Sequence, residues 1–288
     1  MPDTPLLLRR VVAVAHPRIP DTLAEAAAIS AYFTAHGLES AHGTLDDASL
    51  RKRVKNGAVD LMIAVGGDGT MLRVSHLCAP CSVPILGINM GRLGFLMQLG
   101  RDRWHSALEQ LLKGEFWIEN RMMLRAEHCR AGESLGNWHA LNEAVVTRAS
   151  VHPVRLSASV DGMQLTNYVA DGLIAATPTG STAYALAAGG PILPPELRNI
   201  LLVPIAPHLS VDRAVVLSEG TSVSITLRSG DAVLSVDGQI PIGLAEGDVV
   251  EVRSGDYSAR FIRFGDPGYF YRNLTAHMNQ NPSAGFPE

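Results

Sequence analysis

The stretch Gly66-Gly67-Asp68-Gly69-Thr70 sets one carboxylate among three glycines and a hydroxyl, directly after the apolar run Leu61–Val65. Glycines at the end of a buried strand let main chain approach a diphosphate closely, and a following helix N-terminus favours negative charge. A carboxylate placed among phosphates is electrostatically costly unless it has a task. Two tasks fit: accepting a proton from a hydroxyl nucleophile, or helping to hold a metal ion. The plain structural reading is a tight Asp-Gly turn after a strand, and five residues alone do not decide the matter.

A second candidate segment is DGLIAATPTGSTAYALAAGGP, from Asp171 to Pro191. Thr177, Thr179, Ser181 and Thr182 place hydroxyls around Gly180, which suits a turn that hydrogen-bonds a polar ligand. Tyr184 offers a flat face for a base, and Gly189-Gly190-Pro191 closes the segment as a rigid turn. The alternative is a small-residue helix through Ala183–Ala188 capped by Ser181 or Thr182. Cys78-Ala-Pro-Cys81 has CxxC spacing, with His76 nearby, but the second ligand pair of a zinc site is missing. It reads as a loop with two reduced thiols.

These residues need elements to position them. Val11–Ala15 and Val59–Val65 read as buried strands, and Val83–Asn89 as a third. Asp21 or Thr22 can cap a helix through Tyr32 and Phe33, and Asp46 one that runs to about Lys55 before Asn56-Gly57. Thr70–Leu77 reads as a helix, and Trp104, Leu108, Leu111 and Leu112 stand at helical spacing. Strands alternating with helices imply parallel βαβ units. From about Phe116 the pattern becomes apolar/polar alternation broken by turns, with Asp161-Gly162 and Gly230-Asp231 as hairpin-type turns. The expected fold is thus an α/β N-terminal domain with a parallel sheet, followed by a β-rich, sandwich-like domain. YFYRNLTAHM, residues 269–278, reads as a short helix in the tail.

Apolar residues make up 47% and charged residues 18% of 288, which specifies a folded chain with a real core. A net charge of −4 without a long basic block argues against nucleic acid as the main partner. No apolar run reaches the roughly 18 residues of a membrane span. Arg9 and Arg10 follow Leu6–Leu8, the reverse of a secretory signal, and three cysteines make no disulfide framework. The expectation is a cytoplasmic protein that does not engage membranes.

Taken in order, the motifs resemble the bacterial NAD kinases over nearly the whole chain. They are GGDGT (Gly66–Thr70), NMGRLGFL (Asn89–Leu96), RMML (Arg121–Leu124), Asn142-Glu143, DGLIAATPTGSTAY (Asp171–Tyr184), GGP (Gly189–Pro191), Pro207-His208 with Arg213, and DGQ (Asp237–Gln239). GGDGT is shared with diacylglycerol-type lipid kinases; the long TPTGSTAY segment with Asn142-Glu143 is far more specific. The resemblance implies an α/β domain over 1–118, a β-rich domain over 119–260 and a tail, 261–288, returning to the first.

The implied reaction moves the terminal phosphoryl group of ATP to the adenosine 2′-hydroxyl of NAD, giving NADP; some members also accept inorganic polyphosphate. Asp68 matches the proton acceptor, and Gly66, Gly67, Gly69 and Thr70 the phosphate loop. Asn142 and Glu143 match an amide for adenine and a carboxylate for ribose hydroxyls. Asp171 matches a carboxylate at the nicotinamide end, Thr182, Ala183 and Tyr184 the adenine-side wall, Ala187 a substrate contact and Gln239 a late polar one. Mg²⁺ or another divalent cation would arrive with ATP, and the active species would be a homodimer or homotetramer. Two positions depart from the pattern: Val169 replaces a basic or polar residue, and Ala187 a common serine. Both bear on NAD against NADH. Phe95 reads equally as core or as a base-stacking ring, and His208 as a turn residue. Two other readings compete: a lipid kinase, which would want an interfacial basic amphipathic helix, and a non-catalytic dinucleotide sensor, which would gain nothing from Asp68.

Overall fold

The computed structural model describes residues 7–91, 94–208, 212–271 and 274. The chain divides into two compact units, one of residues 1–120 with 259–288 and one of residues 121–258.

The first unit opens with β1 (Arg10–Ala15), α1 (Thr22–Ala35), β2 (Glu39–Thr44), α2 (Ala48–Lys55), β3 (Leu61–Gly66), α3 (Asp68–Cys78), β4 (Ile85–Asn89), the short β5 (Leu99–Gly100) and α4 (Trp104–Leu112). Strands β1 to β4 lie in the order 2-1-3-4, all parallel, with Ala15 opposite Val65 and Gly66 opposite Asn89. That is a doubly wound arrangement whose strand order reverses between β1 and β3, where such sheets bind ligands beyond their carboxyl ends. Every residue of β3 is buried, as a strand covered on both faces must be. Ile29 and Phe33 of α1 and Trp104, Leu108 and Leu111 of α4 pack into the same core as Val11, Ile63 and Leu86.

Three local readings change. The cap of α2 is Asp47, whose carboxylate accepts from the Ser49 and Leu50 amides, and not Asp46. Neither Asp21 nor Thr22 caps α1 through its side chain: the Thr22 hydroxyl donates to the His16 and Ile19 carbonyls instead. Helix α3 begins two residues earlier than its periodicity suggests, at Asp68 itself. Strand β2 has no buried residue and carries Gly43, so neither apolar alternation nor β-propensity marks it.

The second unit is a two-sheet sandwich. Its strands are β6 (Trp117–Arg130), β7 (Glu133–Ala140), β8 (Glu143–Arg148), β9 (Val154–Val160), β10 (Met163–Ala170), β11 (Gly172–Ala176), β12 (Asn199–Ile205), β13 (Val215–Ser218), β14 (Val223–Ser229), β15 (Ala232–Val236), β16 (Ile242–Leu244) and β17 (Val249–Arg263), with the one-turn helix α5 (Tyr184–Ala187) after β11. One antiparallel sheet runs β13-β12-β11-β8-β15-β16; the other contains β10-β9-β14-β17 with β6 and β7. Leu173, Leu202 and Leu234 from the first meet Leu156, Ile225 and Val252 from the second in one core. The opposite face of the first sheet, with Val145, Ile174 and Leu201, packs against Ala185 of α5 and Leu193.

Asp161-Gly162 makes the expected hairpin turn between β9 and β10, both residues with positive φ. Gly230-Asp231 does not: β14 and β15 belong to different sheets, and Gly230, at φ 99°, turns the corner between them. The 15-residue β17 ends in the first unit, where Phe261 pairs in parallel with Ile85 of β4. Of the tail helix, residues 269–271 and 274 are described and helical; 272, 273 and 275–278 lie outside the described residues. Among the described residues, no helix is long and apolar enough to cross a membrane.

Candidate active site

In the first unit, β3 delivers Gly66 to the carboxyl edge of the sheet at the β1/β3 reversal. The three glycines there do different jobs. Gly66 is buried, and a Cβ on it would lie 2.2 Å from the Thr70 hydroxyl, so its missing side chain makes room for Thr70. Thr70 in turn accepts from the Gly67 amide at 3.4 Å, one half of a capping box at the start of α3. Gly67 and Gly69 have no other atoms within 4 Å of where a Cβ would stand, which leaves their main chain open to approach.

Asp68 is the first residue of α3, half-buried, at the positive end of the helix. Its two carboxylate oxygens accept from the amides of Phe95 at 2.8 Å and Leu96 at 3.2 Å. Gly94 is required for this: a Cβ there would stand 2.1 Å from Asp68 Oδ2. The NMGRLGFL motif thus supplies main-chain donors, although its Arg92 and Leu93 lie outside the described residues. Phe95 contributes its amide to the site.

In the second unit, strand register gathers three separate motifs at one end of a sheet. Glu143 pairs with Ala176, and Ala144 with Val236, so Asn142-Glu143, TPTGSTAY and DGQ meet there. Asp237, in the left-handed conformation at φ 48°, organises the cluster. Its carboxylate accepts from the amides of Leu141 at 2.7 Å and of Asn142 and Glu143, each at 2.9 Å. Thr177 clamps the next layer: its hydroxyl donates to the Leu141 carbonyl at 2.5 Å and accepts from the Gly180 amide at 3.0 Å. Gly180 lies so close that a Cβ would stand 2.2 Å from the Asn142 carbonyl oxygen. Arg121 Nη1 donates to the Thr179 hydroxyl at 3.1 Å.

Ser181 and Thr182 do not cap α5. The Ser181 hydroxyl donates to the Pro178 carbonyl and accepts from the Leu193 amide, and Thr182 donates to the Thr179 carbonyl. The helix entry is Ala183, with no side-chain cap, and the four residues before it form a tight 3₁₀ turn. Tyr184, Ala187 and Gln239 are exposed.

Glu143 is the strongly perturbed acid of this cluster. Its side chain is buried and Oε2 has no hydrogen-bond partner. Burial first, and the negative charge of Asp237 second, push its carboxyl up to about 8. A buried acid with one unpartnered oxygen at a strand start is a candidate ligand contact.

Asp171 is not brought to this cluster. It precedes β11 while Ala176 ends it, five residues or about 16 Å away along a strand. There it forms an ion pair with Arg148 Nε at 2.9 Å. The Val169 carbonyl, one strand earlier, accepts from the His208 amide at 2.7 Å. Cys78 and Cys81 are free; Cys78 is buried, and burial pushes its thiol up, so it stays protonated. Residue type alone does not single out Asp237, Arg121 or Gly94. Only the Asp-Gly turn signal at 237–238 hints at the first of them.

A phosphate-type loop at the switch point of a parallel sheet, joined in one chain to a sandwich bearing a dry carboxylate and a hydroxyl-rich turn, defines a nucleotide-binding α/β-plus-β protein. Residues 21–116 match the ATP-NAD kinase N-terminal domain and residues 141–264 the ATP-NAD kinase C-terminal domain. The chain is 38% identical to the NAD kinase of Chloroflexus aggregans over 277 residues, covering 96% of this chain and all of that protein. It is 44% identical to a Chloroflexus aurantiacus NAD kinase over 224 residues, 77% of this chain and 81% of the relative. Yeast NADH kinase, solved with NADH, superposes with a TM-score of 0.85 at 25% identity, over 99% of this chain and 91% of the other. An Archaeoglobus fulgidus NAD kinase, solved with ATP, gives 0.74 at 26% identity, over 93% and 98%. The chain belongs to the NAD kinase family, enzymes that phosphorylate NAD.

Proposed function

We propose that Asp68 is the proton acceptor of this NAD kinase and that Glu143 and Asn142 hold its dinucleotide. The observation that carries the reading is the Asp68 carboxylate. It stands at the N-terminus of α3 at the sheet's switch point, with both oxygens aimed by main-chain amides and the open backbone of Gly67 and Gly69 beside it.

A terminal phosphoryl group would lie against the open main chain of Gly67 and Gly69, where the helix end favours negative charge. As the adenosine 2′-oxygen attacks phosphorus, the bond to the leaving diphosphate breaks and Asp68 takes the hydroxyl proton. On the other unit, the unpartnered Glu143 Oε2 suits ribose hydroxyls, Asn142 an adenine edge, and Thr182, Ala183 and Tyr184 the wall beside it. Gln239 adds a late polar contact. Asp171, held by Arg148, and Ala187 would serve the nicotinamide end. Among the described residues, no three His, Cys, Asp or Glu side chains cluster as a metal cage. A divalent cation arriving with ATP, held mainly by phosphate oxygens and water, would neutralise the charge in transfer. The enzyme on this reading is a cytoplasmic homodimer or homotetramer.

Incubation with NAD, ATP and Mg²⁺ should give a product that an NADP-specific dehydrogenase reduces. Asp68→Asn should lower kcat by about 10²- to 10⁴-fold while calorimetry still detects NAD binding. Near-parental turnover in that variant would remove Asp68 from the chemistry.

A further inference from the structure

Behind the Asp68 loop stands a buried cation that the reaction described above does not use. Arg263, the last residue of β17, is 1% exposed. Its guanidinium carbon lies 5.1 Å from the ring centroids of both Phe261 and Tyr269. Nε donates to Glu119 Oε2 at 2.8 Å, and Nη1 donates to the Leu96 carbonyl at 3.0 Å. Glu119 is also buried and receives the Tyr269 hydroxyl at 3.2 and 3.3 Å. Buried ion pairs add little net stability compared with an apolar pair of the same volume. Geometry, not stability, is the better account of this one.

Leu96 links the two sites. Its N–H donates to Asp68 Oδ1, and its carbonyl is held by Arg263. Gln98 makes a second tie from the same loop: its side chain donates to the Phe264 carbonyl at 2.8 Å and accepts from the Phe264 amide at 3.0 Å. The peptides that aim Asp68 are therefore anchored twice to the end of β17, all within the first unit. We propose that Arg263, oriented by Glu119, is a positioning residue for Asp68: it fixes Leu96, and Leu96 with Phe95 fixes the carboxylate. The inference rests on Asp68 acting as the proton acceptor. It assigns Arg263 no contact with substrate.

The test uses the full chain with Arg263→Met, Arg263→Lys, Gln98→Ala, Asp68→Asn and the double variant Arg263→Met/Asp68→Asn. Turnover is expressed per NAD-binding site counted by calorimetry, so loss of folded protein does not register as loss of rate. Arg263→Met should lower kcat about 10- to 100-fold with KM for NAD within about threefold, because misplacing a reacting group by about 1 Å costs that much. Arg263→Lys should recover part of the loss, and Gln98→Ala should show a smaller fall in kcat of the same type. In the Asp68→Asn background, followed by single-turnover labelling from ATP, Arg263→Met should cost no more than about twofold, since residues that act as a unit are non-additive. The proposal is overturned if kcat per site is unchanged in Arg263→Met, or if its full loss multiplies with that of Asp68→Asn. Should Arg263→Met fail to bind NAD, unchanged kcat in both Arg263→Lys and Gln98→Ala overturns it equally. Full turnover in Asp68→Asn would instead defeat the underlying base assignment, a result distinct from either.

Discussion

Asp68 and Glu143 are both acids set where a buried strand begins or ends, and the fold treats them in opposite ways. Asp68 is met by two amide donors and braced from behind through Leu96. Glu143 is kept dry, with one oxygen unpartnered and its carboxyl pushed up to about 8. The first arrangement fixes where an acid points. The second leaves a hydrogen-bonding demand that a ligand hydroxyl can meet. Catalysis rewards placement, whereas binding rewards an unmet partner, and on the proposed roles the two acids divide those demands between them.

The largest effect that could break this contrast comes from Gly94→Ala. Its new methyl would stand within 2.1–2.6 Å of the Asp68 carboxylate atoms. We expect kcat to fall about 100-fold with NAD affinity nearly unchanged in calorimetry; an unaffected kcat would show that the carboxylate's position is not critical. Next is Glu143→Gln, which should raise KM for NAD about 10- to 100-fold while kcat falls less than about threefold. Steady-state kinetics would reverse the assignment if the loss appeared in kcat alone.

The smallest effect is on stability. Glu143 binds its proton more tightly folded than unfolded, with a value of about 8 against 4.5. The stability of the neutral form is thus fully present below about pH 4.5 and is lost as pH rises toward 8. Without NAD, the thermal midpoint of the parent should fall relative to Glu143→Gln by about 2–4 °C per kcal/mol lost between pH 5 and 8. A difference that stays constant across that range would mean Glu143 is not held neutral.

What the residues alone disclosed depended on how local each feature is. Gly66–Thr70 is interpretable by itself because strand end, turn and helix start are consecutive. Asn142-Glu143 is not, since its geometry depends on Asp237 about a hundred positions later and on a glycine at 180 whose need is steric. Family resemblance, not residue chemistry, drew notice to that pair. Gly230-Asp231 carries a good hairpin signal, yet turn chemistry specifies a bend and does not say which sheet the next strand joins. Asp46 and Asp47 are equally good caps by type, and only the amides of Ser49 and Leu50 distinguish them. Arg263 offers no sequence signal at all; an arginine at the end of an alternating strand reads as a solvated tip.

The closing strand β17 carries a temporal consequence. The first unit uses residues up to Asn120 and resumes only at Ala259, so the strand that lies beside β4 is translated only after the whole of the second unit. At about 5–20 residues per second, the ribosome needs some seconds to make the intervening 138 residues. Throughout that interval the nascent polypeptide already displays Asp68 but lacks the guanidinium that braces its loop. An N-terminal fragment ending before Ala259 would contain Asp68 but lack Arg263, and with it the brace proposed for the Asp68 loop.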